Sequence, residues 1–263
     1  MLVQSLAYFK DAPGSTPVLA DPVSGDSLTL RAVSPGVAIE LIDWMLCSQG
    51  AAGEHRLIWT TGHDTSYGLA IVSDTEPRRV RPLGRKPARF ASAEVIKPYV
   101  AGSATTGEAA FGVLQILYDQ VPGAEGQYIT PDELMSRGKQ PLGWVASITH
   151  SAKLSWTNAG TLDAVRDVWK RDKRYAVLGA KMSTNVVALA LRGPDTGNVR
   201  IAVLPERNDR VKSLEYFVDL SLMLSKGVIP VIEGANMGAT QLEFLGLATS
   251  GSEDITLYCV ELD

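Results

Sequence analysis

The residues best placed to do chemistry are a run of cations between residues 78 and 89. Six basic residues fall within twelve positions that contain no acid: Arg78, Arg79, Arg81, Arg85, Lys86 and Arg89. Pro82 and Pro87 exclude a regular helix, so we expect an extended arm or a long loop. Such a segment could bind an anionic partner, namely an acidic neighbouring subunit, nucleic acid or lipid head groups. The alternative is a solvated loop whose cations have local salt partners.

Acidic residues offer a second kind of chemistry. Glu40 and Asp43 interrupt an otherwise apolar segment, where each charge needs a partner or an open face of the sheet. Two carboxylates on a β-sandwich are sufficient for glycoside hydrolysis, and an outward strand face is the alternative. Trp44 or Trp59 could add an aromatic platform for a sugar, or pack in a core. A carbohydrate-binding or glycan-active β-sandwich protein is therefore our alternative function.

Metal and nucleophile chemistry is weakly represented. His55, His63 and Asp64 could hold zinc, but a His-Asp pair in a turn is more typical of a solvated turn. The nucleophile elbow, the dinucleotide and phosphate-binding glycine loops and the zinc-protease motif are all missing from the sequence. We therefore expect no enzymatic activity, no cofactor, no metal and no small-molecule substrate.

Composition limits the partner class and the compartment. The chain has 263 residues, 45% of them hydrophobic and 21% charged, with a net charge of −4. These values exclude general disorder and argue against a dedicated nucleic-acid reader. Cys47 and Cys259 could form one disulfide or remain two buried thiols. Because no signal peptide and no apolar run of about 18 residues is recognisable, we expect folding in a reducing cytoplasm.

The elements that position these residues are mostly short β-rich segments separated by Gly, Pro, Asn and Asp, a pattern typical of an all-β protein. Predicted strands include 27–33, 37–46, 56–61, 67–73, 111–118, 144–150, 175–182, 186–192, 199–204, 216–224, 228–232, 241–248 and 255–262. Thr130 and Glu133 predict a capping box that opens a short helix at Pro131. A second helix is predicted over residues 161–171.

The spacing of these elements predicts two domains. The first, residues 1–150, is a β-barrel or sandwich with the long basic loop at 78–89. The second, residues 151–263, is another β-barrel or sandwich preceded by the helix at 161–171. Each part is long enough for an eight-stranded antiparallel sandwich.

One stretch carries a resemblance to a known family. Residues Lys173–Leu204, followed by Tyr216–Val218 and Val228–Ile232, resemble the strand order of a viral coat barrel. Two β-rich parts, few helices and long loops are similar to the jelly-roll major capsid proteins of icosahedral viruses, especially the double-barrel type of tailless phages. The resemblance implies antiparallel jelly-roll barrels in tandem and a virion coat subunit. It also implies partners: further copies of the chain in a homotrimer or higher assembly, other virion proteins, and nucleic acid or lipid at the basic loop.

Overall fold

The computed structural model describes residues 1–60, 68–80, 87–119, 126–162, 169–205 and 212–262. Contacts divide the chain into two compact units. Residues 5–121 form one, called here the N-terminal unit, and residues 1–4 and 122–263 form the other, the C-terminal unit. The sequence pattern predicted domains at residues 1–150 and 151–263. Whether either part is an independently folding domain stays a prediction.

The N-terminal unit is built from two antiparallel sheets. Its strands are β1 (Leu2–Asp11), β2 (Val18–Leu19), β3 (Asp21–Pro22), β4 (Ile39–Ser48), β5 (Gly53–Ile58), β6 (Leu69–Ser73), β7 (Arg78–Val80), β8 (Ala88–Phe90), β9 (Lys97–Val100) and β10 (Ala109–Tyr118). One sheet has the order β3-β1-β10-β4-β7, and β8 also pairs with β4. The second has the order β2-β9-β5-β6.

The C-terminal unit also contains two sheets, together with the helices. Its strands are β11 (Tyr128–Ile129), β12 (Gly138–Thr149), β13 (Trp156–Thr161), β14 (Arg174–Lys181), β15 (Val186–Arg192), β16 (Ile201–Val203), β17 (Ile229–Glu233), β18 (Gln241–Gly246) and β19 (Ser252–Leu262). The sheets run β11-β17-β14-β19-β12 and β13-β18-β15-β16. Among the described residues, the α-helices with defined bounds are α1 (Pro131–Arg137) and α2 (Tyr216–Leu224), and short 3-10 helices span Pro194–Thr196, Lys212–Glu215 and Gly234–Ala239.

The two units share one strand order. Each unit has eight strand positions once the two-residue strands β3 and β11 are left out and β7 and β8 are counted as one position. Numbered along the chain, these positions pair as first-eighth-third-sixth in one sheet and second-seventh-fourth-fifth in the other. In the C-terminal unit these sheets are β12-β19-β14-β17 and β13-β18-β15-β16. In the N-terminal unit they are β1-β10-β4 with β7 and β8, and β2-β9-β5-β6. This is the order of an antiparallel jelly roll. The all-β fold class, with two jelly rolls in tandem, is therefore confirmed.

Burial follows from the residue pattern of the strands. In β12, Trp144, Ala146 and Ile148 are buried and alternate with exposed residues, the two-residue period of a half-buried strand. All ten residues of β4 are buried, as are all ten of β10, so both faces of these strands lie away from solvent. The polar residues in β4 must therefore find partners inside the protein.

The helices test two predictions. The capping box is confirmed, because Thr130 Oγ1 accepts from the Glu133 amide and the Glu133 carboxylate accepts from the Thr130 amide. The strand predicted at 216–224 is wrong, since these residues form α2. Tyr216, Phe217 and Leu220 are buried at helical spacing, which outweighs their β propensity. The helix predicted at 161–171 falls largely on residues 163–168, outside the described residues.

The strand predicted at 27–33 is also wrong in extent, since only Thr29 forms an isolated bridge, to Val95. The hairpin predicted around Gly193 is confirmed, because β15 and β16 pair in antiparallel fashion. Gly197 and Asn198 supply the positive φ values of 65° and 58° that its turn needs. No helix in the described part of the chain is long and apolar enough to cross a membrane.

Candidate functional site

The described residues of the basic segment lie mainly on β7 and β8, which together take the sixth strand position of the N-terminal jelly roll. β7 and β8 both pair with β4, at opposite ends of that strand. Arg78 and Arg79 are on β7 and Arg89 is on β8. The remaining three predicted contact residues, Arg81, Arg85 and Lys86, lie outside the described residues. Where it is described, the segment is thus strand at a sheet edge and not a free arm.

The side chain of Arg79 is buried. Its Nε lies 3.6 Å from Oδ2 of Asp43, and the two side chains are 5% and 0% exposed. The acid singled out on β4 therefore has a buried cationic partner, supplied by the neighbouring strand. A guanidinium placed this deeply cannot reach an external phosphate or carboxylate. Any contact with an anionic partner must rest on the other cations of the segment.

Arg78 and Arg89 are accessible. Arg89 Nε lies 3.4 Å from Oε1 of Glu40, with the arginine 77% and the acid 8% exposed. Arg78 Nη2 lies 2.9 Å from Oδ2 of Asp74, at 51% and 30% exposure. Both pairs are local salt partners of the kind expected for a solvated segment. An ion pair that is exposed on both sides contributes about 0–1 kcal/mol, so Arg78 can exchange Asp74 for an external anion. Arg89 is open to an external anion as well, but it also compensates the buried carboxylate of Glu40.

The two accessible arginines are too far apart to share one small anion. Arg78 is opposite Leu46 and Arg89 is opposite Glu40 on β4. At a rise of about 3.4 Å per residue, their backbones are separated by about 20 Å. This spacing suits an extended anionic surface better than a single phosphate.

A polar network around His55 lies in the core of the N-terminal unit. Trp44 Nε1 donates to the Tyr8 hydroxyl at 2.9 Å, and this hydroxyl is 3.0 Å from His55 Nδ1. On the other side of the ring, His55 Nε2 is 3.2 Å from Ser48 Oγ. Ser48 Oγ also lies 2.6 Å from Ser73 Oγ and donates to the Ala101 carbonyl at 3.1 Å. A consistent set of donors assigns a neutral ring protonated at Nε2.

Burial explains why this network is structural. Tyr8, Trp44, Ser48 and His55 have essentially no exposure, so a serine and histidine in contact here meet no substrate. Burial lowers the pKa of His55 to about 4, opposed in part by a hydrogen bond to the backbone of Cys47. Burial also raises the pKa of Tyr8, opposed by its bond with Trp44. Sequence reasoning missed the network because its members lie on four separate segments.

A second polar cluster, in the C-terminal unit, joins the 193–198 turn to β17. The buried carboxylate of Asp195 accepts from Gln127 Nε2 at 3.0 Å, from Asn236 Nδ2 at 2.9 Å and from the Glu233 amide at 3.0 Å. Burial raises the pKa of Asp195, and the hydrogen bonds from the Glu233 amide and from Asn236 oppose the rise. Beside it lies a cavity of about 320 Å³ lined by residues that include Arg137 and Arg174.

The aromatic residues proposed for a sugar platform divide into two cases. Trp44 is fully buried and bonded to Tyr8, so it cannot contact a glycan. Glu40 and Asp43 are also buried and paired with arginines. Trp59, in contrast, lines an open cleft of about 270 Å³ together with Tyr99.

Cys47 and Cys259 are free buried thiols, which excludes a disulfide between them. Burial raises the pKa of Cys259. In the described part of the chain, no group of three or more His, Cys, Asp or Glu residues could hold a metal ion. Of the predicted zinc ligands, His63 and Asp64 lie outside that part, and His55 belongs to the network above.

Comparisons with known proteins give little further information. No family model matches the chain. No curated protein matches it either. Among solved structures, the chain is compared over 98% of its length with 96% of a chain from the cryo-EM structure of the T=1 Penaeus vannamei nodavirus, at 6% identity and a TM-score of 0.19. A TM-score this low does not indicate a shared fold.

Proposed function

We propose that this chain is a structural virion protein, a major coat subunit that self-assembles into an icosahedral shell. The observation that carries the proposal is the jelly-roll strand order, which occurs twice in one chain. Jelly rolls of this kind build many viral shells, although they also occur in lectins and cupins. The proposal gives the chain further copies of itself as partners, in a homotrimer or higher assembly, and the virion as its location. It assigns no catalytic activity and no cofactor.

The exposed arginines supply the contact to anionic partners in this proposal. Arg78 and Arg89 lie along one sheet edge at a spacing that suits an acidic neighbouring subunit, nucleic acid or lipid head groups. Such contacts weaken as salt concentration rises, since the Debye length falls to about 8 Å at physiological ionic strength. Assembly should therefore depend on salt.

The first experiment measures particle mass across protein and salt concentration, by mass photometry and light scattering, with negative-stain images of any large fraction. Trimers, larger oligomers or closed particles are expected. A strict monomer under every condition would refute the coat function.

Charge substitution then tests the arginines. We expect the double variant Arg78→Glu/Arg89→Gln to fold normally and to assemble less, with a changed salt response; Arg89 is neutralised and not reversed because a second carboxylate would face the buried Glu40. Arg56→Glu is the matched control, because Arg56 is also exposed and paired with a local acid, Glu54, but lies on the other sheet. If the parent and the double variant assemble equally, the two arginines do not contribute to the assembly interface.

The alternative function is carbohydrate binding, which the cleft formed by Trp59 and Tyr99 favours. Trp59 directly follows β5, and Tyr99 lies on β9, which pairs with β5. Two aromatic side chains placed in this way offer a rigid apolar surface to a sugar ring. A monomer whose tryptophan fluorescence shifts with a glycan, and loses the shift in Trp59→Ala but not in Trp156→Ala, would support this alternative. Without a shift across a glycan panel, the cleft has no such role.

A further inference from the structure

The C-terminal unit has an unusually long strand at the edge of a sheet. β12 has twelve residues and, within the described ranges, pairs only with β19. The other sheets end in strands of two to six residues, namely β2, β3, β6, β7, β13 and β16. Short edge strands limit unwanted pairing between chains, because few backbone groups are left open. β12 lacks this protection.

The sequence of β12 divides the edge into two parts. Lys139 and Pro141 are residues that hinder the addition of another strand. From Gly143 to Thr149 the strand contains no charge and no proline. Val145, in the middle of this part, is 47% exposed. Gly143–Thr149 is therefore an open template of backbone donors and acceptors.

Pro141 also indicates which backbone groups face outward. Proline has no N–H, so within a sheet its nitrogen faces the open side of an edge strand. The pairing of β12 with β19 is regular from Gln140 to Thr149, and the direction of the backbone groups therefore alternates without interruption. Gly143, Val145 and Ser147 share the direction of Pro141, so their N–H groups point away from β19.

We propose that Gly143–Thr149 is a strand-addition surface on which the same segment of a second copy pairs in antiparallel fashion about a two-fold axis. Pairing centred on Ala146 places Val145 opposite the partner's Ser147 and Trp144 opposite the partner's Ile148. Buried residues of one copy therefore lie opposite buried residues of the other, and exposed residues lie opposite exposed ones. The row of apolar side chains on the buried face of β12 thus continues into the second copy. No charged residue lies in the paired segment to repel an identical strand.

This inference deepens the proposed function and rests on it for the choice of a second copy as the occupant. The two can nevertheless fail separately. Particles whose outward β12 amides stay unprotected would leave the coat function standing and overturn the edge pairing. Dimers that protect these amides but form nothing larger would support the edge pairing and contradict the coat function.

The test is amide hydrogen exchange and particle mass on the full chain, over a roughly hundredfold concentration range. We expect the outward amides of Gly143, Val145 and Ser147 to gain protection as concentration rises, whereas the amides of the residues between them already bond to β19 and should change little. The N–H of Val145 points outward and makes no hydrogen bond to β19. Val145→Pro therefore removes a donor for the second copy without removing a bond within the sheet, and it should weaken association at least about tenfold. Val145→Lys is the milder second variant, in case the proline variant does not fold.

Val72→Lys is the matched control, because Val72 is 77% exposed on the five-residue edge strand β6. It should associate like the parent. The inference is overturned if the parent stays monomeric over the whole range, or if folded Val145→Lys associates as strongly as Val72→Lys. It is also overturned if exchange of the outward amides within 143–149 does not depend on concentration.

Discussion

Acidification should destabilise the N-terminal unit through His55. The ring is buried, its Nδ1 is 3.0 Å from the Tyr8 hydroxyl, and its pKa is lowered to about 4 from an ordinary value of 6.5. A protonated ring would have to donate from both nitrogens, which leaves the Tyr8 hydroxyl proton without its acceptor. The folded state therefore holds His55 neutral at a pH where the unfolded state binds a proton.

The sign and size of the effect follow from proton linkage. Because the folded pKa is lowered, the stabilisation is complete above pH 6.5 and is lost as pH falls toward 4. Each pH unit within that window costs about 1.4 kcal/mol, and the whole window costs about 3 kcal/mol. Below pH 4 both states bind the proton and this contribution levels off.

Urea unfolding of the full chain at a series of pH values measures this loss, with His55→Gln as the comparison. The glutamine variant loses hydrogen bonds and should be less stable by an amount of about 1–3 kcal/mol that does not change with pH. The other histidines are present in both proteins, so the difference between the two curves isolates His55. Parallel curves from pH 7 to pH 4 would refute the argument that His55 is held neutral.

Three substitutions test the remaining contacts by urea unfolding. Asp43→Asn should cost about 3–5 kcal/mol, because it leaves the guanidinium of Arg79 buried without its carboxylate. Glu40→Gln should cost about 1 kcal/mol or less, since the paired Arg89 is 77% exposed; equal costs for these two variants would contradict the burial argument. Thr130→Ala should cost about 1 kcal/mol by removing the N-cap of α1, with Thr130→Ser nearly neutral.

The fold could be predicted because its signals are local. Alternation of apolar and polar residues, as in β12, and turn residues at the ends of strands indicate β structure without knowledge of the pairing. The same local reasoning failed at α2. Its aromatic and β-branched residues favour a strand, and only the packing of Tyr216, Phe217 and Leu220 on one side reveals the helix. Propensity was overruled there by tertiary contacts.

The sequence could show that certain polar residues require a partner, but not which residue supplies it. The position of Asp43 in an apolar strand showed that it required a partner, but not that Arg79 supplies it from another strand. The run of cations predicted an extended arm or long loop that binds an anionic partner or is solvated, but it did not show that its described members differ from 5% to 77% exposed. The His55 network could not be predicted at all, because its bonds join residues up to about fifty positions apart.

The two jelly rolls have the same strand order, but the edges of their first strands differ. β1 and β12 occupy the same place in the strand order. The chain after β1 returns as β3, which pairs with Tyr8 and Phe9, and Lys10 adds an ion pair to Asp21 at 3.0 Å. No described strand covers β12 in this way. At Tyr8 and Phe9 the edge of β1 is therefore closed to strand addition, whereas the Gly143–Thr149 edge of β12 has no such cover among the described strands.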